Sequence, residues 1–323
     1  MAPSGPHARQ GTLHNLPVHP TLTAFEPLKP LTRNLNINTL LWVGGLFDSP
    51  GSVDYPFALA EALPPTWALA VASLSSAGHS WGTSSIAQDA KEMSQLVGYF
   101  RTLRPGGKVV IMGHSTGCQD CMEYAVGAGR EDREKVDGVV LQAPVSDREA
   151  LDMFFSDTVR KEADELAVSM VGKGEGLEFL PYRLTKEGFG RCALTAKRWV
   201  DISSPAPKHD GADDYFSSDL ETERLKKTFG EFPASSPLCI LVSGNDEGMK
   251  PEVDKEALWK RWAGILKEGG GIVDEQASGV VEGAAHNLNG NKEEVVKALT
   301  ERVVGFVGRL DQGQLSGGGE TKV

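Results

Sequence analysis

Lys108-Val109-Val110-Ile111-Met112-Gly113-His114-Ser115-Thr116-Gly117 decides the fold, because an apolar strand runs directly into Gly-x-Ser-x-Gly. A serine held on a strained strand-to-helix turn brings the positions two before and two after it close together, and only glycine-sized residues fit there. Gly113 and Gly117 meet that need, which makes Ser115 the candidate nucleophile. The five-residue pattern alone is weak in a chain with 37 glycines, so its flanks carry the argument. Val109 to Met112 is the short continuous apolar run of a strand buried on both faces of a parallel sheet. Cys118 to Ala128 contains no proline, and Cys121, Met122, Tyr124 and Ala125 recur at helical spacing.

Outward from this turn, strands and helices alternate. Thr39 to Val43 reads as a sheet strand ending in Gly44-Gly45-Leu46-Phe47-Asp48, Tyr55 to Leu63 as a helix closed by Pro64-Pro65, and Trp67 to Leu74 as the next strand. The polar loop Ser75 to Ser85, with Trp81, follows at the carboxyl end of a strand, where open α/β sheets bind ligands. Ile86 to Leu103 reads as a helix with Asp89, Lys91 and Glu92 on its wet face and Met93, Leu96, Val97 and Phe100 on its dry one. Lys135 to Gln142 and Pro237 to Ser243 are further strands, Lys255 to Leu266 a helix, Gly271 to Glu275 a last strand and Asn291 to Leu310 an amphipathic closing helix. Between Arg148 and Leu220 the alternation stops, as expected of a lid inserted over a site. The expected organisation is an extended arm over 1–35, with Thr23 to Glu26 a candidate strand, a core over 36–147 and 221–310, a lid over 148–220 and a disordered tail over 311–323.

Composition bounds the function. Thirty-three Lys and Arg against 44 Asp and Glu give a formal charge of −11, which argues against nucleic acid or an anionic membrane as partner. The N-terminus lacks the apolar core of a secretory signal, so a cytoplasmic protein with a small-molecule substrate is expected. Four cysteines suit a reducing compartment better than a disulfide framework. Cys118 and Cys121 form a C-x-x-C without a second pair to complete a zinc site, and packing behind the turn is the expected role.

A serine needs a base, and the base an orienting group. In folds with this turn the partners follow in the order Ser, Asp or Glu, His. Of seven histidines only His209 and His286 lie beyond Ser115, and His286 sits in a small-residue loop before the closing helix. The acid is expected on Ser243 to Gly248, where Asp246 is first choice, ahead of Asp147 on the preceding strand's exit loop and Glu247. Two N–H donors must receive the oxyanion: that of Thr116, and one from the glycine turn, Leu46 with Gly45 the alternative.

With Gly44-Gly45-Leu46, Gly113 to Gly117, Ser243 to Glu247 and His286 in order, the chain resembles an α/β-hydrolase, with a mostly parallel central sheet flanked by helices and an inserted lid. More narrowly, from Thr39 to Leu310 it resembles the fungal fusarinine C esterase family of intracellular siderophore esterases. The distinctive pieces are Gly113 to Asp120, Leu141-Gln142-Ala143-Pro144-Val145-Ser146-Asp147-Arg148-Glu149-Ala150 and Asp213-Asp214-Tyr215-Phe216-Ser217-Ser218-Asp219-Leu220. The resemblance implies hydrolysis of ester bonds in a hydroxamate siderophore inside the cell, with iron belonging to the substrate and no metal cofactor required. Such a substrate keeps cationic amino groups, so part of the lid's acidic run, Asp210, Asp213, Asp214, Asp219 and Glu221, is expected to face the pocket. Gly45, Trp81, Asp214 and Tyr215 are the expected substrate contacts. The alternatives are an esterase or thioesterase for other small acyl substrates, or a ligand-binding protein on a hydrolase scaffold.

Overall fold

The computed structural model describes residues 8–17, 22–29 and 38–315. Its sheet has eight strands. A hairpin of β1 (Gly11–Leu16) and β2 (Leu22–Pro27) pairs antiparallel with the sheet's first parallel strands through β4. The parallel set is β3 (Asn38–Val43), β4 (Trp67–Ser73), β5 (Val109–His114), β6 (Gly138–Gln142), β7 (Leu238–Ser243) and β8 (Gly279–Val281). Their order across the sheet is β1-β2-β4-β3-β5-β6-β7-β8. Part of the expected N-terminal arm is therefore a sheet edge, with Thr23 to Glu26 inside β2; its remaining residues lie outside those described.

Every residue of β3, β5, β6 and β7 is buried, because helices cover both faces. On one side α1 (Tyr55–Ala62) joins the closing helix α10 (Glu293–Asp311). On the other lie α2 (Ile86–Leu103), α3 (Thr116–Val126) and α9 (Lys255–Glu268). Helix α2 begins where predicted, with the Ser85 side chain accepting from the Gln88 N–H. Its expected wet face is corrected: only Lys91 is exposed, while Asp89 and Glu92 are buried. Glu92 is drawn in because it accepts from the Ser75 amide (2.8 Å), the Ser75 hydroxyl (2.7 Å) and Gln88 (2.9 Å), fixing the loop that leaves β4.

The last strand also moves. Val273 makes a single bridge to Leu238, and β8 lies later, at Gly279–Val281. The cause is Asp274, whose carboxylate accepts from the amides of Gln276 and Ala277 and from Arg309, turning the chain where a strand was expected. At the C-terminus the expected disorder does not begin at Asp311. That residue ends α10 and accepts from Trp67 Nε1 (2.8 Å) and Lys108 Nζ (3.2 Å); residues 312–315 form a turn and 316–323 lie outside those described.

Between β6 and β7 stand α4 (Asp147–Phe154), α5 (Asp157–Gly172), α6 (Tyr182–Phe189) and α7 (Ala196–Ser203), and after them α8 (Thr222–Lys226). The first four of these helices share a core of their own around Leu151, Phe155, Leu184, Phe189, Trp199 and Ile202, which Trp81 joins from the body. After α7 the chain rejoins the body, where Phe216 and Leu220 pack into the core beside α9.

Candidate active site

Ser115 stands between β5 and α3 with φ 55° and ψ −126°, a left-handed backbone that a non-glycine residue adopts only when its surroundings enforce it. The enforcing contacts are close. A Cβ on Gly113 would lie 2.1 Å from the Gly117 carbonyl oxygen, and one on Gly117 would lie 2.4 Å from that of Val43. Both glycines are thus required by backbone passing against backbone. Cys118 and Cys121 are buried free thiols, and the Cys118 thiol donates to the carbonyls of Gly113 (3.3 Å) and Gln142 (3.2 Å), which is the packing role expected for the pair.

His286 Nε2 lies 2.8 Å from Ser115 Oγ, and His286 Nδ1 lies 2.9 and 3.0 Å from the two carboxylate oxygens of Asp246. A carboxylate accepts only, so Nδ1 carries the proton and the Nε2 lone pair faces the serine hydroxyl. Asp246 is buried, and one of its oxygens also receives the Gly248 amide at 2.9 Å. The other two acid candidates are engaged elsewhere: Glu247 accepts the backbone N–H of His286 (2.9 Å), and Asp147 accepts from Gln119 Nε2 (3.0 Å). Burial opposes the charged form of His286, but the hydrogen bond and charge of Asp246, with the charges of Glu247 and Asp48, hold its pKa above the ordinary histidine value.

The glycine turn lies against the serine. A Cβ on Gly45 would meet Ser115 Cβ at 2.6 Å and the Thr116 nitrogen at 3.0 Å. The Gly45 N–H is already donated to Asp48 Oδ2 (2.8 Å), whereas the N–H groups of Leu46 and Thr116 have no backbone partner among the described residues. Of the two donors left open by the sequence, Leu46 is therefore the free one. Asp48 is held in turn by Ser52 Oγ (2.8 Å). His114, the variable residue inside the motif, is buried, stacks on Trp42 and hydrogen-bonds Gln142 Oε1, while Gln142 Nε2 reaches the His286 carbonyl at 3.3 Å. Burial together with the nearby His286 charge pushes the His114 pKa down to about 3, so it is a neutral strut at working pH.

Ser115 and His286 open into a cavity of about 290 Å³ whose walls are Leu46, Phe47, Val145, Leu151, Phe154 and Phe189. Helices α4 and α6 supply half of those residues, Leu151, Phe154 and Phe189. Asp147 and Glu247 are the carboxylates lining it. On the other side of Leu46 is a polar cavity of about 30 Å³ bordered by Gly45, Trp81, Asp89, Thr116, Asp120 and Arg198, a volume on the scale of one or two water molecules.

Comparison with known proteins bears on the family and the fold. The model of a family described as "protein of unknown function (DUF1749)" matches residues 1–308. The chain is 32% identical to the fusarinine C esterase sidJ of Aspergillus fumigatus, over 90% of this chain and 94% of that protein. It is also 32% identical to an esterase of Emericella nidulans, over 90% of each. The structure of siderophore hydrolase EstB from Aspergillus fumigatus superposes with a TM-score of 0.80 at 32% identity, covering 95% of this chain and 99% of that one. The chain belongs to this DUF1749 and fusarinine C esterase family. As a member of it, the protein is an α/β-hydrolase and an ester-hydrolysing enzyme.

Within this family member, four expected substrate contacts fall differently. Gly45 lies against Ser115 but lines the small polar cavity, as does Trp81, whose ring packs edge-on against Phe47 and Phe189. Asp214 and Tyr215 reach neither cavity: Asp214 is buried against Arg148 (3.0 Å) and Ser217, and Tyr215 donates to Glu123 (3.0 Å). Two more of the acidic run are held the same way, Asp213 by buried Arg198 (2.7 Å) and Asp219 by Arg148, while Asp210 and Glu221 are exposed and line neither cavity. The paired acids meet arginines that are far off in sequence, so a substrate cation is not needed to balance them. The residues that sequence reading missed are Phe47, Phe154 and Phe189, apolar walls with no motif around them; the φ of 66° at Phe47 is visible only in three dimensions.

Proposed function

We propose that this esterase works through an acyl-enzyme on Ser115 and that its substrate is a hydroxamate siderophore of the fusarinine C type, whose iron is released when its ester bonds are cut. The observation that carries the catalytic part is the continuous hydrogen-bond chain from Ser115 through His286 to Asp246 at the floor of the apolar cavity. In the first half-reaction His286 Nε2 takes the Ser115 proton while Oγ attacks the ester carbonyl. The tetrahedral oxyanion accepts from the N–H groups of Leu46 and Thr116. Collapse breaks the bond to the alcohol oxygen, which leaves with the proton from Nε2. In the second half, water loses a proton to the same nitrogen and attacks the acyl carbon, and the carboxylic acid departs as Ser115 recovers its proton. Asp246 stays ionised throughout and stabilises the imidazolium. Ferric iron is cargo of the substrate and takes no part in these steps.

The siderophore part is supported by two relatives named for that substrate class at 32% identity. A reducing interior is supported by cysteines that are buried and unpaired, and none of the described helices is long and apolar enough to cross a membrane. The test is mass spectrometry of products from a panel of hydroxamate siderophores, simple esters and acyl thioesters, with wild type and Ser115→Ala. Ser115-dependent cleavage of ester-linked siderophores supports the reading; siderophores left intact while simple esters are consumed would favour the general esterase, which the apolar cavity wall also suits. A fluorophosphonate that fails to label Ser115 would favour a binding protein.

A further inference from the structure

We propose that Asp147 is a specificity-determining residue that binds a primary ammonium group carried by the ester substrate; the inference rests on the esterase reading above and names a feature of its substrate. The carboxylate begins α4 and lines the cavity that holds Ser115 and His286, among walls that are otherwise mostly apolar. One oxygen, Oδ2, accepts from Gln119 Nε2 at 3.0 Å; the other accepts no hydrogen bond among the described residues. No lysine or arginine forms an ion pair with Asp147 there either. Arg198, whose charge reaches Asp147 without forming an ion pair, meets both oxygens of Asp213 through one terminal nitrogen at 2.7 and 2.8 Å, and Arg148, next in sequence, is held by Asp214 and Asp219. Glu247, the other carboxylate in the wall, is tied to the His286 backbone.

An anion in such a wall loses hydration and gains little from one amide. Burial, with the charges of Asp213 and Asp214, raises its pKa to about 7 even though the charges of Arg198 and His286 pull the other way. A cation on the substrate restores the ionised form and supplies the missing partner. The shape of the opening selects among cations. A guanidinium binds a carboxylate best through paired N–H bonds to both oxygens, and Gln119 already uses a lone pair of one; the single open oxygen suits one N–H of an ammonium group better.

Two matched ester pairs test this: 6-aminohexyl butyrate and butyl 6-aminohexanoate, each against its N-acetyl form, which places the amine in either half of the ester. Wild type is expected to favour the free amine in at least one pair by about tenfold in kcat/KM, and Asp147→Asn to bring that ratio close to one. A wild-type ratio near one in both pairs, or a ratio that survives Asp147→Asn, would overturn the proposal. A second measurement needs no variant: hexylammonium should inhibit wild type, and raise its Tm, at about tenfold lower concentration than hexan-1-ol. Equal potency of the two would also overturn it. Absence of any ester hydrolysis would defeat the catalytic reading instead, and the thermal shift would still report on Asp147.

Discussion

Ser115 pays for its exposed position with a left-handed backbone, and its neighbours make that conformation compulsory. Adding a methyl at Gly113 forces carbonyl and Cβ apart by more than an ångström, so Gly113→Ala should cost about 3 kcal/mol or more, read by urea unfolding. Asp246→Asn should lower kcat about 10⁴-fold by reversing the imidazole tautomer, as the orienting carboxylate does in such triads. The sign of the pH dependence follows from His286. Its base form is needed, its pKa lies above the ordinary 6.5, and so kcat/KM on a neutral ester should fall on acidification with a midpoint above 6.5. A midpoint below that value would mean that Asp246 does not hold the ring. At this scale the sequence was informative where chemistry restricts choice: elimination among the histidines isolates His286, and the glycine spacing isolates Ser115. It could not separate Leu46 from Gly45, because that depends on Asp48 folding back to take the Gly45 amide.

At the scale of elements, the parallel strands were legible because burial on both faces removes polar residues from them, and α2 because its serine cap and apolar stripe agree. The helices between β6 and β7 were not. Helices α6 and α7 have eight residues each, too short for a period to rise above the surrounding Pro, Gly and Asp, and their order comes from packing on Trp199 and Phe189. Asp89 and Glu92 were misread for a related reason: a carboxylate on a helix looks solvated until the loop or arginine that claims it is known. Arg198 is buried and gives one terminal nitrogen to both carboxylate oxygens of Asp213, tying α7 to the segment that rejoins the body. Removing it in Arg198→Ala strands the buried Asp213 charge and should cost about 3–5 kcal/mol of stability, measured by denaturant unfolding. Ser85→Ala, which only removes the α2 cap, should cost about 1 kcal/mol.

For the whole molecule, the sheet brings the carboxyl ends of β3, β5 and β7 together with the loop after β8, and α4 and α6 line the cavity into which they open. Four segments distant in sequence thereby meet: the glycine turn, the serine, the acid and the histidine. The substrate is less legible than the reaction, because the reaction needs a few residue types in fixed order whereas the cavity wall is drawn from apolar side chains that any core contains. Of the acidic run expected to hold a cation, Asp213, Asp214 and Asp219 pair with arginines, whereas Asp147 keeps one carboxylate oxygen without a hydrogen bond among the described residues. The central claim is that Ser115, activated by His286, is the nucleophile. Intact-protein mass spectrometry after exposure to a fluorophosphonate tests it most directly. A single adduct that maps to Ser115, is absent from Ser115→Ala and forms far more slowly in His286→Ala is the predicted result; no adduct, or one that persists in Ser115→Ala, would contradict it.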